Sequence, residues 1–143
     1  MKKKPKRTPK RRTFIDAVRG YCNAWKNQDW MKMSANTSRR WRMTVPNPVH
    51  DLKGRFDNLI LVGCEVNEDD KRLPQGFAEP SCMYEIPVKV FFWIGDKERE
   101  EGEQPEERTL LFNVLCETQD GNPNRDKGDW GVNPISTLRG IGG

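Results

Sequence analysis

The sequence contains a single histidine, His50, and no apolar run that approaches the roughly 20 residues needed to cross a bilayer. The missing run excludes a helical membrane span. The basic N-terminus is not followed by a hydrophobic core, so signal-peptide secretion is not expected and a virion or cytoplasmic setting is. One histidine and four scattered cysteines, Cys22, Cys64, Cys82 and Cys116, none in CxxC spacing, form no usual zinc pattern. The acidic stretches lack the alternating ligands of a calcium loop. No glycine-rich nucleotide fingerprint occurs, and the terminal Gly140-Ile141-Gly142-Gly143 has no following helix to supply amide dipoles to a phosphate. No metal or other cofactor is expected.

A catalytic pair is also missing. His50 adjoins Asp51 after two prolines, and adjacent side chains usually diverge, which suits a surface loop better than an acid/base dyad. Three of the cysteines sit inside apolar stretches, the setting of buried free thiols, although an even number leaves a disulfide open. The expectation is therefore a noncatalytic protein.

The most informative feature present is an asymmetry of charge. Residues 1–12 carry Lys2, Lys3, Lys4, Lys6, Arg7, Lys10, Arg11 and Arg12 without a single acid, which leaves −4 on the other 131 residues of a chain whose net charge is +4. With Pro5 and Pro9 among mutually repelling cations, this arm is expected to be disordered until a partner neutralises it. Engaging most of its charges on duplex DNA gives a log–log salt slope on the order of −6 or −7. No aromatic residue is interleaved in the arm, which argues against base stacking on single strands.

Periodicity organises the rest into one domain, residues 13–139, followed by a short glycine-rich tail, residues 140–143. Thr13 and Asp16 resemble a capping box, and Val18, Tyr21, Cys22 and Trp25 then recur at helical spacing. Asp29 opens a second helix through Trp30, Met31 and Met33, and residues 36–38 interrupt the pattern before Trp41. Residues 45–50 carry Pro46 and Pro48 and read as a loop.

Residues 58–66 read as a strand that could be covered on both faces. In residues 82–94 the alternation of Cys82, Tyr84, Ile86, Val88, Val90, Phe92 and Ile94 predicts a long strand, with Pro87 marking an edge or bulge near its middle. Seven acids between Asp96 and Glu107 then predict an acidic hairpin tip leading into a strand over residues 108–117. Trp130, Val132 and residues 135–138 suggest a last strand kinked by Pro134. The fold class expected is α+β, with N-terminal helices packed on a curved antiparallel sheet.

The stretch Ala24-Trp25-Lys26-Asn27-Gln28-Asp29-Trp30-Met31-Lys32-Met33, followed by long antiparallel strands, resembles the nuclear transport factor 2-like superfamily at the junction between its first two helices. The resemblance covers Thr13 to Arg139 and implies a cystatin-like cone. Members include pocket enzymes, small-ligand binders and noncatalytic adaptors of secretion, conjugation and virus particles, so the fold does not choose among them.

The function expected is a structural or adaptor subunit of a larger assembly, such as a bacteriophage virion component, anchored through the arm. Expected partners are other protein subunits, of the same or a different chain, with nucleic-acid phosphates as the alternative occupant of the arm and no membrane. Phe91 and Trp93, with Glu100, Glu101 and Glu103 at the tip, are the candidate protein interface. A pocket enzyme or carrier of the cone fold is the further alternative. It requires a deep cavity holding polar groups such as Tyr84, Asp57 or His50, and an interior filled by Trp25, Trp30 and Phe92 counts against it.

Overall fold

The computed structural model describes residues 12–141. Helix α1, Phe14–Lys26, starts at the expected capping box: the Asp16 N–H donates to Thr13 Oγ1 at 3.1 Å and the Thr13 N–H to Asp16 Oδ2 at 3.0 Å. Its apolar stripe, including Val18, Tyr21, Cys22 and Trp25, is buried. Gln28, in the left-handed region at φ 55°, turns the chain, and Asp29 caps α2, Trp30–Ala35. Residues 36–38 then leave the helical path because they pair with a strand edge: the Ser38 N–H donates to Val132 O and the Val132 N–H to Asn36 O, both at 2.8 Å. Helix α3, Arg39–Thr44, follows from the Ser38 cap.

Residues 45–50 are not a loop throughout. Helix α4, Pro48–Phe56, begins at Pro48, where the missing N–H is no loss, and Asn47 accepts from the His50 N–H at 3.2 Å. Its Leu52 and Phe56, four apart, are fully buried.

Four antiparallel strands form a curved half-barrel in the order β1-β2-β3-β4: β1 Leu59–Val66, β2 Met83–Ile94, β3 Glu106–Glu117 and β4 Asp129–Val132. The helices cover its inner face, where Tyr84, Ile86, Val88, Val90 and Phe92 of β2 meet Leu110, Phe112, Val114 and Cys116 of β3, as the alternation predicts. This is the expected α+β arrangement. Strand β1 is an edge and is not covered on both faces, since Val62 is 43% exposed.

Of the edge or bulge expected near Pro87, the edge is there, because β1 ends beside it, and the bulge lies in β1. The register shifts between Leu61 and Gly63, so that three residues of β1 oppose two of β2. Pro87 is tolerated in a central strand because β1 has ended beside it: the last β1 pair is Val66 with Val88, and the Asn67 N–H donates to Pro87 O at 3.3 Å.

The C-terminal expectation needs correction. After β4 the chain forms helix α5, Pro134–Ile141, and no kinked strand. Pro134 opens the helix, and Asn133 Oδ1 accepts from the Ile135 N–H at 3.0 Å. The helix takes over the β3 edge that β4 leaves uncovered, with the Asn113 N–H donating to Ser136 Oγ at 3.0 Å. It also runs past residue 139, so Gly140 and Ile141 belong to the domain and not to a tail.

The centre of the fold is aromatic. Tyr21 lies edge-on to Phe112 (5.5 Å) and Phe56 (6.3 Å), and Trp25 to Phe56 (5.0 Å). Each polar tip is satisfied: Tyr21 Oη bonds Thr137 Oγ1 at 3.1 Å, and Trp25 Nε1 donates to Leu59 O at 2.8 Å.

Candidate interface for an anionic partner

The arm enters the fold at Arg12. The other expected arm residues, Lys2, Lys3, Lys4, Lys6, Arg7, Lys10 and Arg11, lie outside the described residues. Arg12 itself is held by the body of the protein. It grips Asp129 at two points, Nη2 to Oδ2 at 2.6 Å and Nε to Oδ1 at 3.3 Å, while Nη1 donates to Asn36 Oδ1 at 2.7 Å and Ala35 O at 3.1 Å. Its donors are therefore committed to the fold, and it anchors the arm where α2 meets the start of β4.

Around this anchor gather residues that the sequence reading passed over. Arg39 Nη2 is 3.7 Å from the same Asp129 Oδ2. One turn on, the buried Nε of Arg42 has no hydrogen-bond partner among the described residues. Burial, followed by the charges of Arg39 and Arg12, pushes the Arg42 guanidinium below its ordinary range. Arg39 and Arg42 line an open groove of about 370 Å³ with Gln119 and Met43, a methionine 62% exposed.

A second carboxylate lies beneath. Glu117, only 1% exposed, accepts from Ser38 Oγ at 2.6 Å and from the Arg40 N–H at 3.4 Å, so it fastens the start of α3 to the end of β3. Three guanidiniums against these two acids leave the surface cationic where the arm departs. The signal was present in Ser38-Arg39-Arg40-Trp41-Arg42, three arginines within one helical turn and a half. Its placement beside Arg12 depends on the pairing of residues 36–38 with β4, which no local pattern announces.

The expected protein interface lies at the other end of the β2–β3 hairpin. Glu100, Glu101 and Glu103 are exposed in its tip, where the Glu100 N–H donates to Glu103 Oε2 at 2.8 Å and Gly102 supplies the turn at φ 81°. Phe91 and Trp93 stand half-buried on the outer face of β2 at the same end. Trp93 is partly covered by its own hairpin, with the Arg99 guanidinium 4.2 Å from the ring centroid.

The polar groups of the enzyme alternative do not converge. Tyr84 has its ring in the core and its hydroxyl between Glu79 Oε2 (2.6 Å) and Arg125 Nη1 (3.0 Å); His50 is exposed in the first turn of α4, and Asp57 is exposed at its end. Trp25 and Phe92 fill the interior as anticipated, whereas Trp30 is half-buried at its margin. Among the described residues no group of three or more His, Cys, Asp or Glu is arranged to hold a metal ion, and no helix is long and apolar enough to cross a membrane.

Comparison with protein-family models, characterised proteins and solved structures finds no match for this chain.

Proposed function

We propose that the chain is a noncatalytic structural or adaptor subunit, joined to a larger assembly through its basic N-terminal arm, with the acidic hairpin tip of a neighbouring copy as the seat of that arm. The observation that carries this reading is the separation of opposite charges along one rigid element. The arm is rooted where Glu117 of β3 pairs with Asp129 of β4, while the acids of the tip follow the far end of β2. Eleven residue steps of β3 separate the two, about 36 Å along the strand. An arm of eleven residues reaches at most about 40 Å, so it meets its own tip only when stretched almost fully along the sheet. A neighbour's tip can be met without that constraint, and contacts between unlike surfaces of this kind close into rings or extend as filaments.

Energetics set the scale of such a contact. Exposed ion pairs contribute about 0.2–1 kcal/mol each, so four or five of them between arm and tip give about 1–5 kcal/mol, a submillimolar interaction at best. Assembly on this basis is multivalent, each subunit using both its arm and its tip. The aromatic filling of the sheet's inner face supports a noncatalytic role. Helices over a curved antiparallel sheet also agree with membership in the nuclear transport factor 2-like superfamily, which we include in the proposal on the strength of the helix junction.

A second reading, an arm and groove bound to nucleic-acid phosphates, is favoured by the Arg39 and Arg42 side chains that line the open groove beside the arm's root.

One set of variants separates the two. Light scattering on the full chain, on a chain lacking residues 1–11 but keeping the Arg12 anchor, and on a triple Glu100→Lys, Glu101→Lys, Glu103→Lys variant is run at low and high salt. Head-to-tail assembly predicts an oligomer that each change abolishes and that salt weakens. An oligomer indifferent to both changes, or a monomer at every salt, rules it out. A monomer whose binding to duplex DNA is lost on deletion of residues 1–11 and untouched by the tip variant establishes the second reading.

A further inference from the structure

We propose that Cys22 and Cys64 form a redox-active dithiol at the seam between α1 and β1, with Cys64 as the attacking thiol and Cys22 as the resolving one, oxidised by a low-molecular-weight disulfide. The proposal is independent of the assembly reading.

The bulge in β1 creates the pair. Alternation from Leu61, which lies opposite the buried Phe92, would turn Gly63 and Glu65 inward; the extra residue, Val62, shifts the parity, so that Cys64 and Val66 face the helices opposite Val90 and Val88. Cys22 reaches the same place from α1, on the stripe that carries Val18 and Trp25. Both residues line one surface cavity of about 440 Å³, together with Arg19, Lys26 and Gly63.

The two thiols are inequivalent in a way that assigns the roles. Cys22 is buried, and the neighbouring Cys64 thiol, with burial, holds its own thiol well above the usual range. Cys64 is half-buried; the Cys22 thiol beside it, helped by the charge of Lys26, lowers its thiol despite some burial. Arg19 is paired with Glu68 at the cavity edge, so Lys26 is the cation that acts on Cys64.

The chemistry balances with a disulfide RS–SR as oxidant. The Cys64 thiolate attacks one sulfur, forming Cys64–S–SR and releasing RS⁻, which takes the Cys22 proton. Cys22 then attacks Cys64 Sγ, closing the Cys22–Cys64 disulfide and releasing the second thiolate, which takes up from solvent the proton that Cys64 gave up on ionising. The protein loses two electrons and two hydrogens, and RS–SR becomes two RSH. The new bond ties α1 to the edge strand.

The test equilibrates the full chain in oxidised and reduced glutathione at graded ratios, blocks the remaining thiols with a maleimide under denaturing conditions, and maps the peptides by mass spectrometry. The expected product is a crosslinked peptide joining Cys22 to Cys64, with Cys82 and Cys116 labelled. In C22S the reaction stops at a glutathione adduct on Cys64, and in C64S neither position reacts. The mapping of the unaltered protein decides the matter should a variant fold poorly. The proposal is overturned if the chain keeps four free thiols across the series, if a stable mixed disulfide accumulates, or if the bond joins Cys82 to Cys116, which lie side by side where β2 and β3 pair.

Discussion

Arg12 and Asp129, 117 positions apart in the sequence, form a two-point ion pair that fastens the root of the basic arm to the first residue of β4. Both side chains are partly exposed, at 25% and 33%, so the pair is screened and its stabilisation is modest. A double-mutant cycle with Arg12→Ala and Asp129→Ala is expected to give a coupling of about 1 kcal/mol in denaturant unfolding, reduced by salt. The Asp129→Ala single variant is the more damaging, because it leaves Arg12 and Arg39 without their shared carboxylate. Equal losses from the two single variants would contradict the arrangement.

Backbone contact makes two glycines opposites. A Cβ on Gly131 would lie 2.2 Å from Thr37 O, against the segment that pairs with β4, whereas a Cβ on Gly54 in α4 meets nothing within 4 Å. Gly131→Ala is therefore expected to lose about 3 kcal/mol or to fail to fold, beyond ordinary overpacking because backbone must move. Gly54→Ala is expected to gain about 0.5–1 kcal/mol by helix propensity. Thermal unfolding of both variants checks the contrast.

Trp25 combines a buried ring against Phe56 with an indole N–H on Leu59 O, so it ties α1 to both α4 and β1. Trp25→Ala is expected to cost about 3–5 kcal/mol. Trp25→Phe keeps much of the ring and leaves the part-buried Leu59 carbonyl without this donor, for a loss of about 1–3 kcal/mol. Denaturant midpoints with an unchanged slope are the readout.

Burial raises the Tyr21 phenol far above its ordinary value, only partly offset by its hydrogen bond to Thr137. The folded chain therefore keeps a proton that the unfolded chain loses above about pH 10. Stability from this group is complete below that pH and falls as pH rises, by about 1.4 kcal/mol per pH unit. Tyr21→Phe is expected to flatten the alkaline limb of the stability profile while costing about 1 kcal/mol at neutral pH for the lost hydrogen bond. An alkaline limb as steep in the variant as in the parent would show that another group is responsible.

Much of the fold was legible because its signals are local. The Thr13–Asp16 capping box, the helical stripe through Trp25 and the alternation in residues 82–94 each declare an element within a dozen residues, and the structure carries all three. The errors fall where one residue type serves two geometries. Pro48 and Pro134 read as interruptions, yet a proline at the first position of a helix loses no hydrogen bond, and only the Asn47 and Asn133 side chains beside them show which geometry applies. Pro87 reads as an edge or bulge, and it does lie at an edge, because the neighbouring strand stops beside it.

The charge division between arm and body, the amphipathic faces that build an α+β domain, and the lack of a metal or nucleotide motif follow from composition and short-range spacing. Which charges meet is a matter of how the chain folds back on itself. Arg12, Arg39, Arg42, Glu117 and Asp129 come together through the pairing of residues 36–38 with β4, and Cys22 meets Cys64 through one extra residue in β1. The physical reason is that strand register and edge pairing are settled by long-range backbone hydrogen bonds, and a shift of one residue moves every side chain to the other face.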